Sequence, residues 1–541
     1  MKKLVLALII LSIYHSRAQN PYFEISKQME IYNDVLKKLS TNYIDEVNLG
    51  DLIQQNTKKM LNGLDRFTTF YDEQGILEQK MRQEGHFGGL GIHILVRDSA
   101  IVVTDIYDGS PAAGILKTGD KITAIGGKKV SEMKRRVASN LLKGAAGSQV
   151  TLELERNGKK LSRTITRADI ALDAVTDTRL DGDIGYIRFV KFNKKAAAQV
   201  KKAILDLKKQ GALKLIIDVR GNPGGLLNEV VKIVNFFIPK DKVVVTTKGR
   251  FEKYNRTYKT RNESLDEEIP LVILVNNRSA SASEILSGAL QDYDRAVIIG
   301  DTTYGKGLVQ RTYPLKYGTY MKQTISKYYI PSGRLIQKID YWHRDKKGNP
   351  LPMSAHLPEK DYKTTHGRIV HNLGGVIPDI VIDIEPKQSL LRDLQKKHYL
   401  FDFATWYYYN RPQPTDSTKA VLQDKDFDLF LQYLKQHQIN PKSTAEAGLE
   451  KAYERAIKEH QAEWVLQQYK TLLESYKKAD ENTLRNNKSY ILDLINRDLA
   501  KRYFGLKGYT TYVLQHDQIV LKAKEVLNNP LQYAKILKNN K

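Results

Sequence analysis

The sequence predicts a multidomain α/β protein. Three observations point there: strand-like and helix-like runs alternate from about Ile170 to Glu385, a glycine-broken β-rich stretch precedes them, and helical periodicity fills both ends of the chain. At 541 residues, with 41% hydrophobic and 27% charged residues, the chain is long enough for several domains of roughly 100–200 residues and has a globular composition.

The N-terminus reads as an export signal over residues 1–18. Lys2 and Lys3 precede the apolar run Leu4–Ile13, and Ser16-Arg17-Ala18 offers small residues where a signal peptidase cleaves. The run falls short of the ~20 residues of a membrane span. With no cysteine, thiol nucleophiles, disulfides and zinc-thiolate sites are excluded. The expected location is therefore the periplasm or cell envelope, as a soluble protein after cleavage. The formal net charge is +25, from 86 basic and 61 acidic residues. Pairs such as Lys201-Lys202 and Lys208-Lys209 fall on a helical pattern and read as a solvated face, so no nucleic-acid partner is expected.

Residues 19–81 form an N-terminal helical region, with apolar residues at helical spacing through Ile31, Val35, Leu39, Leu52, Met60 and Leu64. Residues 82–169 are β-rich, with short runs at Ile101-Val102-Val103, Val150-Thr151-Leu152 and Leu161–Ile165. Residues 170–385 carry the alternation. Strands are expected at Ile184–Phe189, Leu213–Val219, Leu271–Val275 and Ala296–Ile299, and helices at Ala196–Lys209, Leu226–Phe237 and Ser283–Tyr293. Residues 386–541 form a helical extension broken near Pro412, Pro414, Pro441 and Pro530.

Four motifs bear on chemistry. Gly85-His86-Phe87-Gly88-Gly89-Leu90-Gly91-Ile92 is a glycine turn entering a strand. Its N–H groups suit a peptide's terminal carboxylate and the strand edge suits its backbone, although a plain tight turn has the same composition. Arg220-Gly221-Asn222-Pro223-Gly224-Gly225 joins a buried strand to a helix N-terminus, which suits an oxyanion as well as a turn needing positive φ. Ser279-Ala280-Ser281-Ala282-Ser283-Glu284 follows a strand and opens a helix, the setting of an exposed nucleophile. In it Ser283 or Ser279 is expected to cap the helix, with Glu284 favouring the dipole.

Gly300-Asp301-Thr302-Thr303-Tyr304-Gly305-Lys306 fits most of a phosphate-binding loop. However, Gly307 stands where that loop has Ser or Thr, and Leu308–Tyr313 is β-like where it opens a helix. Lys306 reads better as a general base. Lowering its pKa from about 10.4 to about 7 takes some 4–5 kcal/mol, which desolvation can supply. Gln310 could hold the amine without adding negative charge, if a kink at Gly305 or Gly307 brings the two side chains together. No metal or cofactor site stands out, and His343 and His356 have no catalytic company.

These motifs, together with Leu64-Asp65-Arg66-Phe67-Thr68, Tyr329-Ile330-Pro331-Ser332-Gly333-Arg334 and Gly374-Gly375-Val376-Ile377-Pro378-Asp379, resemble the carboxyl-terminal processing peptidases, or tail-specific proteases, from about Tyr43 to Ile384. The resemblance implies a Clp-protease/crotonase-like catalytic core with an inserted PDZ domain. Ser110-Pro111-Ala112-Ala113-Gly114 and Gly119-Asp120-Lys121-Ile122 resemble that domain's second signature.

The resemblance also implies Ser281 as nucleophile, Lys306 as base and Gln310 as its orienting partner. Ala282 and Gly224 would form the oxyanion hole, with Gly225 an alternative to Gly224. Gly89, Leu90, Gly91 and Ile92 would bind the substrate tail. The implied partners are proteins or peptides with free C-termini, an activating adaptor protein and further copies of the chain. The rival reading is a catalytically inactive PDZ adaptor that binds C-terminal peptides.

Overall fold

A computed structural model describes residues 21–538 apart from 98, 373, 384–386 and 420. The export-signal expectation thus lies outside the described residues. Among the described residues no helix is long and apolar enough to cross a membrane. The chain divides into two compact units: the residues up to Glu73 with Gln310–Thr324, and Gln74–Val309 with Ile325 onward.

In the first unit, helices Pro21–Asn42 and Leu49–Asn62 precede the strand Thr69–Tyr71, which pairs antiparallel with the start of strand Tyr320–Tyr329, Phe70 opposite Met321. The Leu64–Thr68 motif is a turn closed by Asp65, whose carboxylate accepts the Phe67 and Thr68 N–H groups at 2.7 and 2.8 Å.

The second unit is built on a six-stranded sheet. Val175–Asp181 lies antiparallel to Ile184–Phe189; from there Lys214–Asp218, Leu271–Val275, Val297–Gly300 and Ile380–Val381 follow in parallel order. The parallel strands are continuous apolar runs because both faces are buried. Leu215, Ile217, Ile273 and Val275 face helices Ala196–Lys209, Leu227–Val234 and Ala282–Asp292. Ile216, Val272, Leu274 and Ile299 face Val513, Val520, Ala523 and Val526 of the C-terminal helices. The lysine pairs at 201–202 and 208–209 are exposed, as the helical pattern predicts. Leu308–Pro314 is a strand, which removes the phosphate-loop alternative.

Within the same unit, strands Ile92–Val96, Ile101–Ile106, Lys121–Ile125, Gln149–Arg156 and Lys159–Thr166 form an antiparallel sheet, with helix Arg135–Leu141 packed through Ala138 on its core. Ile92–Val96 is an edge strand, so one side of its backbone is free to pair.

Candidate active site

Strand Leu271–Val275 ends in a turn, and helix Ala282–Asp292 begins seven residues later, entirely buried. The turn is fixed by side chains. Ser279 Oγ donates to Val219 O at 2.8 Å and Ser283 Oγ to Asn222 O at 2.9 Å, both serines being fully buried. The cap expected from Ser279 or Ser283 is therefore corrected. Ser281 itself occupies the cap position, because the other two hydroxyls are needed by buried carbonyls of the neighbouring loop. Ser281 has φ 56° and ψ −112°, a strained conformation for a residue with a Cβ. It is the least buried of the three serines.

The Arg220–Gly225 loop lies directly against this turn. Asn222 is fully buried: Nδ2 donates to Phe189 O at 3.0 Å, Oδ1 accepts Gly224 N–H at 2.9 Å, and its carbonyl accepts Ala280 N–H at 3.0 Å. At Gly224, with φ 91°, a Cβ would stand 2.5 Å from Ala280 O and 2.7 Å from Ala282 N, so only glycine permits the approach. The N–H groups of Ala282 and Gly225 make no bond to any described residue. Ala282 N–H also lies at a helix N-terminus, where the dipole favours negative charge.

Glu284 joins this turn to the Lys306 segment. Its carboxylate is fully buried and accepts Ser281 N–H at 2.7 Å, Gly305 N–H at 2.6 Å, Lys306 N–H at 2.9 Å and Thr303 Oγ1–H at 2.7 Å. Burial pushes the carboxyl above its ordinary range, while these donors oppose the shift. Tyr304 N–H adds a bond to Ser279 O at 3.0 Å, and Tyr328 OH one to Ser281 O at 3.1 Å. The backbones of Ser281 and Lys306 are thereby held on a single carboxylate.

The later motifs support the same assembly. Thr303 Oγ1 accepts Val376 N–H at 2.7 Å, and Gly375 leaves room for Thr303 O, which a Cβ would meet at 2.5 Å. Arg334, fully buried, donates to Gln291 Oε1 at 2.7 Å and pairs with Asp292 at 2.9 Å, placing a cation at the C-terminus of the Ser281 helix. Gln310 opens the segment that belongs with the N-terminal unit, and its amide donates to Thr324 Oγ1 at 3.3 Å.

Beside the edge strand Ile92–Val96 lies a cleft of about 320 Å³, lined by Leu90, Gly91, Ile92, Ile94, Ser139 and Leu142 among others. The carbonyls of Leu90 and Gly91 accept Ala112 and Tyr107 N–H at 3.1 and 2.9 Å, whereas their own N–H groups make no bond to any described residue. Free donors beside a cleft of mixed lining, with Arg82 and Lys143 among its side chains, and a strand edge fit a peptide carboxylate.

The model of peptidase family S41 matches residues 183–341, a PDZ domain model matches residues 88–166, and one described as "Probable PDZ-protease, C-terminal helical domain" matches residues 390–527. The carboxy-terminal-processing protease of Bartonella bacilliformis is 35% identical over 349 residues, covering 63% of this chain and 79% of its own length. The chain belongs to the carboxy-terminal-processing proteases of peptidase family S41. CtpB of Bacillus subtilis is 32% identical over 323 residues, covering 58% of this chain and 67% of its own. The photosystem II D1 C-terminal processing protease aligns in structure over 65% of this chain and 86% of its own, at 27% identity and a TM-score of 0.37. This S41 protease is thus a serine-type peptidase with a PDZ domain, acting on peptide or protein substrates.

Two residues of the protease's site have a weak sequence signal. Glu284 reads only as an acidic residue at a helix start, and nothing in the sequence links it to Lys306. Asp517, from the C-terminal helices, reaches the root of the Arg220–Gly225 loop. Arg220 pairs with Asp218 at 2.7 Å on one side and with Asp517 at 2.8 Å on the other; Arg497 approaches Asp517 at 2.9 Å. Burial disfavours the Asp218 charge, but Arg220 outweighs it and holds the carboxyl below its ordinary range.

Proposed function

We propose that this protease cleaves proteins near their C-termini by acyl transfer, with Ser281 as nucleophile and Lys306 as general base. The observation that carries the reading is the buried Glu284 carboxylate, which takes the backbone N–H groups of Ser281, Gly305 and Lys306 together. Neutral Lys306 accepts the Ser281 proton as the hydroxyl attacks the peptide carbonyl, then returns it to the leaving amine; water deacylates the enzyme. The oxyanion takes Ala282 N–H and, of the two loop glycines, Gly225 N–H, which makes no bond to any described residue, whereas Gly224 N–H is already held by Asn222 Oδ1 at 2.9 Å. Gln310 orients the lysine amine.

In this reading the chain works as a helical region (19–81), a PDZ domain (82–169), a peptidase core (170–385) and a helical extension (386–541), preceded by an export signal. The free N–H groups of Leu90 and Gly91 take the substrate's terminal carboxylate, and Gly89 and Ile92 frame the turn. An adaptor protein licenses cleavage, and copies of the chain associate. Exposed Phe23, Ile25, Met29 and Val35 on helix Pro21–Asn42 support that association.

The test is hydrolysis of a short peptide by Ser281→Ala and Ser283→Ala. Ser281→Ala should be inactive while keeping its circular dichroism and its affinity for a free C-terminal peptide. Normal turnover by Ser281→Ala would refute the nucleophile assignment.

A further inference from the structure

Strand Ile339–Arg344 and its antiparallel partner Pro350–Pro352 bring together side chains that the peptidase reaction does not use. The short helical turn Met353–Ala355 returns the chain to the strand, so that the rings of His343 and His356 lie 4.2 Å apart between centroids. Asp340 Oδ2 lies 2.7 Å from His343 Nδ1. One donor atom from each of Asp340, His343 and His356 lies within 4.8 Å of the other two, and among the described residues no other three His, Cys, Asp or Glu side chains are grouped in this way.

Two imidazoles and a carboxylate are a donor set for a borderline divalent cation such as Zn²⁺, whereas Mg²⁺ and Ca²⁺ prefer oxygen alone. Part of the site is already built. Asp340 Oδ1 accepts Trp342 N–H at 2.8 Å and His343 N–H at 3.3 Å, which fixes the carboxylate and leaves Oδ2 on the imidazole side. His343 is mostly exposed, so an ion can reach it without opening the core.

The hairpin is also tied to the residues flanking Lys306. Lys338 N–H donates to Gly305 O at 2.9 Å, Gln337 Oε1 accepts Gly307 N–H at 2.6 Å, and Met353 N–H donates to Lys338 O at 2.8 Å. We propose that Asp340, His343 and His356 bind one Zn²⁺-class cation, with water completing the coordination, and that binding stiffens the Gln337–Lys338 root that holds the Lys306 turn. The binding itself is independent of the role assigned to Lys306.

The test uses the full chain, free of tag histidines, titrated with ZnCl₂ by calorimetry. Wild type should take up one ion per chain. His343→Ala and His356→Ala, changes at the hairpin surface, should each bind at least about tenfold more weakly, a floor set by what even outer-shell changes cost. Hydrogen exchange with and without ZnCl₂ should show slower exchange across residues 338–357 and at the Gly307 amide. No uptake, or uptake unchanged in the His343→Ala/His356→Ala double variant, overturns the site. Uptake that these histidines control, with exchange at Gly307 unaltered, overturns the link to the Lys306 turn.

Discussion

Asp517→Asn tests whether the C-terminal helices hold the Arg220 loop through charge. Asparagine keeps an acceptor for the Ile519 and Val520 N–H groups, which Asp517 Oδ1 now takes at 2.9 and 3.0 Å, so the helix cap survives. What disappears is the negative charge between Arg220 and Arg497. Burial opposes that charge, but the two guanidiniums overcome it and hold the carboxyl at about 2, against an ordinary 3.8. A displacement of nearly two pH units corresponds to about 2.5 kcal/mol of stability.

The sign follows from the depressed value. The contribution is complete above the unfolded-state pKa near 4 and is lost as pH falls towards 2. Urea unfolding followed by circular dichroism should therefore show the variant about 2.5 kcal/mol less stable at pH 7, with the gap from wild type closing between about pH 4 and pH 2. Turnover should fall with KM little changed, because Arg220 supports the loop that carries Gly224 and does not itself bind the tail. A variant within about 0.5 kcal/mol of wild type at pH 7, the scatter of ordinary surface substitutions, would refute the reasoning. So would a gap that persists unchanged to pH 2.

Glu284→Gln puts an amide where a carboxylate accepts four donors, so at least one N–H faces another N–H. A loss of about 1–3 kcal/mol in stability is expected, with kcat reduced far more than KM; unaltered kcat would show that the carboxylate does not position the site. Gly224→Ala forces a Cβ to within 2.5 Å of Ala280 O at φ 91°, and should abolish hydrolysis while leaving binding of a free-acid peptide at the PDZ cleft, measured by fluorescence anisotropy, unchanged. Peptides with amidated C-termini should show a raised KM, or weaker anisotropy binding, relative to their free acids. Equal values would mean that the Leu90 and Gly91 N–H groups do not read a carboxylate.

Much of the core was legible because its signals are local. Ile184–Phe189, Ala196–Lys209 and Leu271–Val275 coincide with the expected elements, since helical and strand periodicity are properties of neighbouring residues. The strand character of Leu308–Pro314 separated Lys306 from a phosphate loop for the same reason. The cap of the Ser281 helix was misread because three serines stand in one short turn, and only the positions of Val219 O and Asn222 O decide which hydroxyls are already committed.

By itself the sequence marked Leu213–Val219 as a buried strand and Leu271–Val275 as a strand, and the unbroken apolar runs Leu215–Ile217 and Leu271–Val275 leave no polar side to face water. Only the tertiary structure decided what covers the second face. Val513, Val520, Ala523 and Val526, more than two hundred residues downstream, close it over Ile216, Val272 and Leu274. Periodicity fixes how much apolar surface an element must hide, but an apolar helix stripe carries no address, so its partner is set by the packing of the whole unit. Charged and titratable residues are less legible still. Asp517 and Glu284, or His343 and His356, look in sequence like any polar residue near a helix end or in a loop. Burial turns the first pair into supports of the active site and proximity turns the exposed second pair into a candidate metal site, and both properties belong to the fold.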